Sequence, residues 1–198
     1  MSEAAARPRV TIVVPVFNEE AVLPALLRRL AAVFDGERDR VWRAVLVDDG
    51  SRDRTAGLVR AQAVRDPRFE LVELSRNFGF QSALSAGLAR AREGEAVVTM
   101  DADLQDPPEV IPELVAAWLR GAEVVRAVRR SRAEQGLRRV GFDLFHRVFG
   151  ALSDHPVEPN TGTFGLLGPA AVEAFNALPE HHRFFPGLRS WIGFPAAD

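Results

Sequence analysis

The sequence contains no cysteine and no lysine, and its formal net charge is only −2 at pH 7. Without cysteine the chain can form no disulfide and perform no thiol chemistry, which fits a reducing compartment. All 25 of its Lys and Arg positions are arginines, and arginine grips phosphate in a bidentate way. The near-zero net charge gives no overall field that favours nucleic acid, so we expect no nucleic-acid partner.

Long apolar runs are also absent. No run approaches the roughly 18 residues of a membrane span, and no signal peptide is visible. We therefore expect a cytoplasmic protein. Peripheral contact with the inner face of a membrane stays an open alternative. A chain of 198 residues with 47% hydrophobic residues fits one domain with a sizeable core. Residues 1–8 are expected to be a flexible start.

Apolar segments with strand and helix periodicity alternate along the chain. The predicted strands cover 9–16, 41–49, 69–74, 96–103 and 122–128, and the predicted helices cover 21–34, 54–64, 80–92 and 108–120. This alternation predicts an α/β fold: a Rossmann-like, mainly parallel sheet with helices on both faces. After residue 135 we expect a long amphipathic helix over 136–152, a strand over 163–167 and a helix over 169–178.

Polar clusters follow three of these strands. The fourth strand ends in "DADLQD", where Asp101, Asp103 and Asp106 surround Gln105. Carboxylates held this close raise one another's pKa values, so we expect a cation between them. "FNEE" follows the first strand and "DDGS" the second. Parallel strands place their carboxyl ends at one edge, where ligands bind, so the three clusters should converge.

The residues after the first strand exclude a dinucleotide-binding loop. That fold would place G-x-G-x-x-G there, whereas this chain has "VPVFNEE". Acidic side chains would repel a pyrophosphate but can accept hydrogen bonds from a base or ribose, and Phe17 offers an aromatic face. We therefore expect a nucleotide whose base and ribose lie near Asp48 and Asp49. Its phosphates would reach Asp101 and Asp103 through Mg²⁺ or Mn²⁺.

Each motif taken alone also has a structural interpretation. D-x-D is common, "DDGS" makes a good turn and cap, and "FNEE" can be a solvated helix start. His146 fits a packing position, and His181 and His182 fit a solvated loop. A basic run begins in the strand 122–128 and continues after it. We expect this strand to lie beside "DADLQD". Contact of these arginines with phosphate is therefore about as well supported as a solvent-exposed basic surface. The run consists of Arg126, Arg129, Arg130, Arg132, Arg138 and Arg139.

Six motifs together carry a family resemblance. They are "VPVFNEE", "VLVDDGSRDRT", "LSRNFGFQSALSAGL", "MDADLQDPPEVIPEL", "VRRSR" and "LPEHHRFFPGLRSWIGF". The sequence resembles the family 2 glycosyltransferases of GT-A fold, and most closely the polyprenyl-phosphate (dolichol-phosphate) hexosyltransferases, which include the bactoprenol glucosyltransferases. The resemblance covers about residues 10–194. It implies a catalytic domain over 9–198, with the nucleotide-sugar and metal half in 1–135 and the acceptor half in 136–198.

The resemblance also implies roles for individual residues. The implied catalytic residues are Asp103, Asn160 and Arg129. The implied metal ligands are Asp101, Asp103 and Gln105. Donor contacts are implied for Pro15, Phe17, Asn18, Glu19, Val47, Asp48, Asp49, Asp101, Ala102 and Arg130. Acceptor-side positions are implied for Thr163 and Arg183.

The implied reaction is an inverting transfer of a hexose from a UDP- or GDP-linked donor to a polyprenyl phosphate. Two alternatives stay open: a transferase of the same fold acting on a soluble alcohol or amine, and a sugar-nucleotide-binding module with little turnover. Relatives tend to read P-D-T-G-D-F-R-L where this chain has Asn160, Thr163 and Gly165, so we expect a remodelled acceptor site. Relatives usually continue past the equivalent of residue 194 into membrane helices, so we expect either a shortened chain or a soluble protein.

Overall fold

The computed structural model describes residues 7–128 and 161–198. The described strands are β1 (Arg9–Val16), β2 (Val41–Asp48), β3 (Phe69–Glu73), β4 (Ala96–Thr99), β5 (Val124–Val128), β6 (Thr161–Leu167) and β7 (Ala196–Ala197). The described helices are α1 (Leu23–Gly36), α2 (Thr55–Arg65), α3 (Phe80–Leu88), α4 (Ile111–Leu119), α5 (Pro169–Ala177) and α6 (Phe185–Trp191). A 3₁₀ turn, Pro108–Val110, precedes α4.

The strands form one sheet in the order β3-β2-β1-β4-β6-β5-β7. β1, β2, β3 and β4 run parallel, whereas β6 pairs antiparallel with both β4 and β5. The predicted α/β class and the mainly parallel sheet are confirmed. The expectation that the strand 122–128 lies beside "DADLQD" is wrong, because β6 returns from later in the chain and takes the place next to β4.

The helices cover both faces of the sheet, as predicted. Alternate residues of β1 point to opposite sides: Ile12 and Val14 belong to one core and Val13 to the other. Apolar residues of α1, α2 and α4 complete the first core, and those of α3, α5 and α6 complete the second. A sheet that is buried on both faces needs strands that are apolar throughout, which β1 and β4 supply.

Several predicted elements are shorter in the structure, and β4 and α3 each end four residues early. β4 ends at Thr99 rather than residue 103, so the carboxylates of "DADLQD" lie in the loop beyond it. α3 ends at Leu88 rather than residue 92, because the N–H of Arg92 donates to the carboxylate of Glu95 instead of continuing the helix (2.7 Å). The helix predicted over 136–152, His146, most of the arginine run and the start of the chain lie outside the described residues.

A buried carboxylate connects the parallel strands near their amino ends. Glu95 is 4% exposed and accepts hydrogen bonds from the Thr11 hydroxyl (2.9 Å) and from the Arg43 guanidinium (3.3 Å). Arg43 also donates to the Arg90 carbonyl oxygen at 2.6 Å. This polar cluster therefore joins β1, β2 and the segment before β4 near the amino ends of the strands.

We expect Glu95→Ala to lower the free energy of unfolding by about 3 kcal/mol, because it leaves the buried guanidinium of Arg43 without its nearest carboxylate. Glu109→Ala is the control, since Glu109 pairs with Arg29 at the surface and should cost about 1 kcal/mol or less. Urea unfolding measures both values. Equal losses in the two variants would contradict a special role for the buried cluster.

Candidate nucleotide and metal site

The loops that follow β1, β2 and β4 meet at one edge of the sheet. Val16 pairs with Asp48 across β1 and β2, and Val13 pairs with Thr99 across β1 and β4. β1 and β2 thus end level with each other, while β4 ends opposite Val13, three residues before the end of β1. The chain beyond β4 reaches the same edge, because Glu19, Asp49, Asp101 and Asp103 line one cavity there. The predicted convergence of "FNEE", "DDGS" and "DADLQD" is therefore confirmed.

Asn18 ties the first two of these loops together. Its N–H donates to the Ser51 hydroxyl, and its side-chain oxygen accepts the N–H of Arg52, both at 2.9 Å. Its backbone is left-handed, with φ of 55°, a conformation that asparagine tolerates better than most side chains. The N–H of Glu19 donates to the Thr55 hydroxyl at 2.8 Å, which fixes the same loop to the start of α2. Asn18, predicted as a donor contact, therefore shapes the site through the loops.

Asp48 and Asp49 are both buried but have different partners. Oδ2 of Asp48 accepts the N–H of Ser51 at 3.1 Å, while its Oδ1 is buried with no hydrogen-bond partner. Both oxygens of Asp49 accept backbone N–H groups, from Phe78 at 2.7 Å and Gly79 at 2.8 Å. Asp48 also lines a cavity at this edge of the sheet. Asp49 instead anchors the loop between β3 and α3.

Gly50 allows these two loops to touch. Its φ is +73°, and a Cβ added there would lie 2.6 Å from the Arg76 carbonyl carbon and 2.8 Å from the Asn77 nitrogen. No side chain fits at that distance, and the left-handed backbone also favours glycine. The loop 75–79 therefore packs directly against the end of β2.

Two adjoining cavities open at this edge. A cavity of about 520 Å³ is lined by Asp48, Ser51, Arg76 and other residues of the two packed loops. A cavity of about 220 Å³ is lined by Pro15, Val16, Phe17, Glu19, Asp49, Phe80, Ala83, Asp101, Ala102 and Asp103. Phe17 lines both cavities and is 41% exposed. Its ring therefore stands between the space beside Asp48 and the space beside the aspartates of "DADLQD".

The loop after β4 holds its two aspartates differently. Oδ1 of Asp101 accepts the Thr163 hydroxyl at 2.8 Å, so β6 orients this carboxylate. Oδ1 of Asp103 accepts the N–H of Gln105 at 3.0 Å. Between them Leu104 adopts a left-handed backbone with φ of 61°, which is uncommon for a branched residue and concentrates at functional loops. Thr163, expected on the acceptor side, thus contacts a predicted metal ligand.

The smaller cavity is electronegative. Partial burial, and then the negative charges of Asp103 and Asp53, raise the pKa of the Glu19 carboxyl above its ordinary value. Glu19, Asp101 and Asp103 line this one space. A cation bound there would lower the repulsion among them.

The described residues fit a divalent cation that takes part of its coordination from a substrate. No group of three or more His, Asp or Glu side chains in the described ranges could hold a metal ion by itself. Two carboxylates on one wall of a cavity suit Mg²⁺ or Mn²⁺, which are commonly bound by one or two carboxylates together with phosphate oxygens. Gln105 does not line this cavity. It lies with Asp106 on the wall of a separate 780 Å³ cavity next to β5.

The remaining predicted residues fall into four groups. Pro15 and Ala102 line the 220 Å³ cavity, as expected of donor contacts. Val47 is fully buried in the core that α3 covers. Arg183 donates to the carbonyl oxygens of Leu178 at 2.7 Å and Glu180 at 3.1 Å, beyond the end of α5. Arg129, Arg130 and Asn160 lie outside the described residues.

Phe80 also lines the 220 Å³ cavity, although the residue-by-residue expectations do not include it. The signal was present in the sequence, because Phe80 belongs to the quoted motif "LSRNFGFQSALSAGL". Gly165, expected to mark a remodelled acceptor site, packs tightly instead. A Cβ there would lie 2.5 Å from the Val125 carbonyl oxygen and 3.2 Å from the Arg189 guanidinium. A larger residue at this position would displace β5 or α6.

Comparison with known proteins agrees with this geometry. Residues 11–171 match the family model described as "Glycosyl transferase family 2". The chain belongs to this glycosyltransferase family, and the resemblance stated from the motifs is confirmed.

Two curated relatives and one solved structure show the breadth of the likeness. The chain is 40% identical over 185 residues to the uncharacterised glycosyltransferase YkcC of Bacillus subtilis, covering 93% of this chain and 57% of the relative. It is 39% identical over 186 residues to the bactoprenol glucosyl transferase of Shigella phage SfV, covering 93% and 60%. The chain thus spans under two thirds of the length of these relatives.

The solved structure is a mannosyltransferase of Pyrobaculum calidifontis in complex with GDP-Man and Mn²⁺. It superposes with a TM-score of 0.63 at 25% identity, covering 97% of this chain and 55% of that one. The GT-A fold expected from the resemblance is confirmed. Among the described residues, no helix is long and apolar enough to cross a membrane.

The two neighbouring aspartates should respond differently to amide substitution. We expect Asp49→Asn to lower the free energy of unfolding by about 2 kcal/mol, because an amide NH₂ then faces a backbone N–H. The amides of Phe78 and Gly79 should exchange with solvent faster in that variant. Asp48→Asn is the control, since its side-chain oxygen can still accept the N–H of Ser51. Unchanged exchange at residues 78 and 79 in Asp49→Asn would contradict the anchoring role.

Proposed function

We propose that this chain carries the catalytic site of an inverting glycosyltransferase that moves a hexose from a nucleoside-diphosphate sugar to a polyprenyl phosphate. The observation that carries the proposal is the arrangement along one sheet edge. Asp48 lines one cavity, Asp101 and Asp103 line the next, and Phe17 lines both. A nucleotide with its base at Asp48 would direct its diphosphate towards the two aspartates.

The acceptor class is supported by the relatives. The phage protein is named as a bactoprenol glucosyl transferase. A transferase of Aeromonas hydrophila, 43% identical over 139 residues, is named for undecaprenyl phosphate. Both names describe transfer to a polyprenyl carrier, and we extend that class to the protein containing this chain. Such an enzyme would act at the cytoplasmic face of a membrane, where the lipid phosphate is presented.

Asp101 and Asp103 would hold the divalent cation, with diphosphate oxygens completing its coordination. When bound, the cation would neutralise the charge that develops on the departing nucleoside diphosphate. The chain's own contribution is positional. The Thr163 hydroxyl orients Asp101, and the N–H of Gln105 orients Asp103. Both aspartates are thus set before the donor arrives, which reduces the reorganisation that the reaction requires.

The proposed reaction balances without a redox partner. An oxygen of the acceptor phosphate forms a bond to the anomeric carbon, while the bond from that carbon to the donor diphosphate breaks. The nucleoside diphosphate leaves with the electron pair. The attacking oxygen is already anionic near neutral pH, so no strong general base is needed. The protein must mainly bring two anions together in line.

The base or ribose of the donor is the proposed ligand of the larger cavity. Asp48 lines this cavity together with Ser51 and Arg76. Carboxylate and hydroxyl oxygens accept hydrogen bonds from the N–H groups of a base and from ribose hydroxyls. We therefore propose a UDP- or GDP-linked sugar as the donor.

We expect Asp103→Asn to reduce turnover at least about 100-fold, because the cation that stabilises the leaving group loses a charged ligand. Binding of the donor should also become insensitive to added Mn²⁺. Asp39→Asn, at an exposed position before β2, is the control and should leave both properties unchanged. Steady-state kinetics and calorimetry with and without Mn²⁺ decide the matter. Full metal dependence in Asp103→Asn would remove the metal assignment.

We expect Asp48→Asn to weaken the binding of nucleoside diphosphates at least about tenfold in the absence of metal, because it removes the charge of a carboxylate that lines the proposed base and ribose cavity. Asp39→Asn, at an exposed position before β2, is the control and should leave the affinity unchanged. Calorimetric titration of UDP and of GDP into the three proteins measures this. Unchanged affinity for both nucleotides in Asp48→Asn would contradict the assignment of this cavity to the base and ribose.

A further inference from the structure

A third cavity adjoins the donor site on the side away from Asp48. It has a volume of about 800 Å³ and lies between the start of α3 and the segment 179–184. Three phenylalanines line it, Phe78, Phe80 and Phe184, and we call this space the aromatic groove. A volume of this size lies within the range of small-molecule binding sites.

The aromatic groove exposes an unusual amount of apolar surface. Phe78 is 45% exposed, Phe80 is 38% exposed and Phe184 is 54% exposed. Isolated exposed apolar residues are ordinary, but three aromatic rings around one cavity form a contiguous patch. Such a patch fits a ligand that buries apolar surface, and a small polar alcohol would gain little from it.

The groove is continuous with the donor site through one residue. Phe80 lines both the aromatic groove and the 220 Å³ cavity that holds Asp101 and Asp103. A ligand lying along the phenylalanines would therefore have one end next to the place proposed for the donor's diphosphate and sugar. This position suits an acceptor whose reactive end enters the donor cavity and whose remainder lies outside it.

Basic side chains lie in and beside the groove. The Arg76 guanidinium lies 4.0 Å from the ring centroid of Phe78, at the boundary with the cavity beside Asp48 that Arg76 lines. Among the described residues, Arg183, His181 and His182 line the groove, together with one carboxylate, that of Glu180. Arginine and apolar surface side by side are complementary to an anionic amphiphile, which combines a phosphate with a hydrocarbon chain.

The walls of the groove are held in place by hydrogen bonds from the donor side. The carboxylate of Asp49 fixes the backbone of Phe78 and Gly79. On the opposite wall, the side-chain oxygen of Gln81 accepts the N–H of Phe185 at 2.9 Å, which joins α3 to α6. The groove is therefore a built feature that exists before any ligand binds, which reduces the ordering needed on binding.

We propose that the aromatic groove binds the isoprenoid chain of the acceptor lipid, in the part that directly follows its phosphate. The proposal rests on the proposed function and adds to it a location for the chain and the residues that recognise it. Phe78, Phe80 and Phe184 contact the isoprene units, and Phe80 marks the point where the chain gives way to the phosphate. Specificity for a polyprenyl phosphate over inorganic phosphate then arises from these rings.

The absence of cysteine makes a direct binding measurement straightforward. Ser82 lines the groove, and Ser82→Cys would be the sole cysteine of the chain, so it can carry one environment-sensitive fluorophore. Val64, 84% exposed on α2, gives the control Val64→Cys. We expect geranylgeranyl phosphate to shift the emission of the label at residue 82 to shorter wavelength and to leave the label at residue 64 unchanged. Inorganic phosphate should shift neither.

Chain length and ring removal test the assignment of the rings. In the labelled protein, geranylgeranyl phosphate should bind about tenfold more tightly than geranyl phosphate, because it buries more apolar surface. Phe78→Ser and Phe184→Ser should each remove most of that difference. Phe184→Leu should keep it, since leucine preserves the apolar contact, and Leu119→Ser, at an exposed site on α4, should have no effect.

Three results would overturn the proposal. The chain-length preference could persist in both serine variants, the label at residue 82 could fail to respond to geranylgeranyl phosphate, or it could respond equally to zwitterionic vesicles that contain no lipid phosphate acceptor. Failure of the proposed function gives a different result. In that case the wild type would transfer sugar to a soluble alcohol and to no polyprenyl phosphate, whatever the fluorescence shows.

Discussion

The parallel pairing of β1 with β2 on one side and with β4 on the other is the constraint on which the rest of the site depends. These backbone hydrogen bonds hold the ends of three strands at one edge of the sheet. The loops that follow them place Glu19, Asp49, Asp101 and Asp103 around one small cavity, where like charges repel. Backbone N–H groups and a hydroxyl donate to the three aspartates, which lowers the cost of holding these charges together. The pKa of Glu19 is raised by partial burial and by the repulsion that remains, which a bound cation would reduce.

The sequence predicts the strongly periodic part of the fold well. β1, β2 and β4 are runs of mainly apolar residues, interrupted in β2 by Arg43, so their burial on both faces and their parallel pairing follow from local pattern. The place of β6 does not follow, because antiparallel insertion next to β4 depends on contacts far apart in the chain. The short helix α6 contains a proline and a glycine and has no clear period, so only the structure reveals it.

The same distinction holds within the site. The motifs identify Asp48, Asp49, Asp101 and Asp103, but residue type cannot separate a ligand contact from a structural one. Asp48 and Asp49 are adjacent and both buried, yet strand alternation sends their side chains to opposite sides. Asp48 lines the larger cavity, and Asp49 holds the loop after β3. Similarly, the left-handed turn at Leu104 separates Gln105 from the cavity that Asp101 and Asp103 line, although the backbone N–H of Gln105 donates to Asp103. A two-residue spacing cannot reveal such a turn.

The loop between β3 and α3 has a consequence for how the two substrates influence each other. Ser75, Arg76 and Asn77 line the cavity beside Asp48, and Phe78, Gly79 and Phe80 line the aromatic groove. The first three of these consecutive residues thus line one space and the last three line the other, and Asp49 holds the backbone where they meet. If a nucleotide bound beside Asp48 shifts this segment, the wall of the aromatic groove shifts with it. Because binding linkage is reciprocal, the factor by which one ligand changes the affinity for the second equals the factor in the opposite direction. Under the proposed assignment of the two spaces, the binding of donor and acceptor would therefore be coupled through a single stretch of backbone.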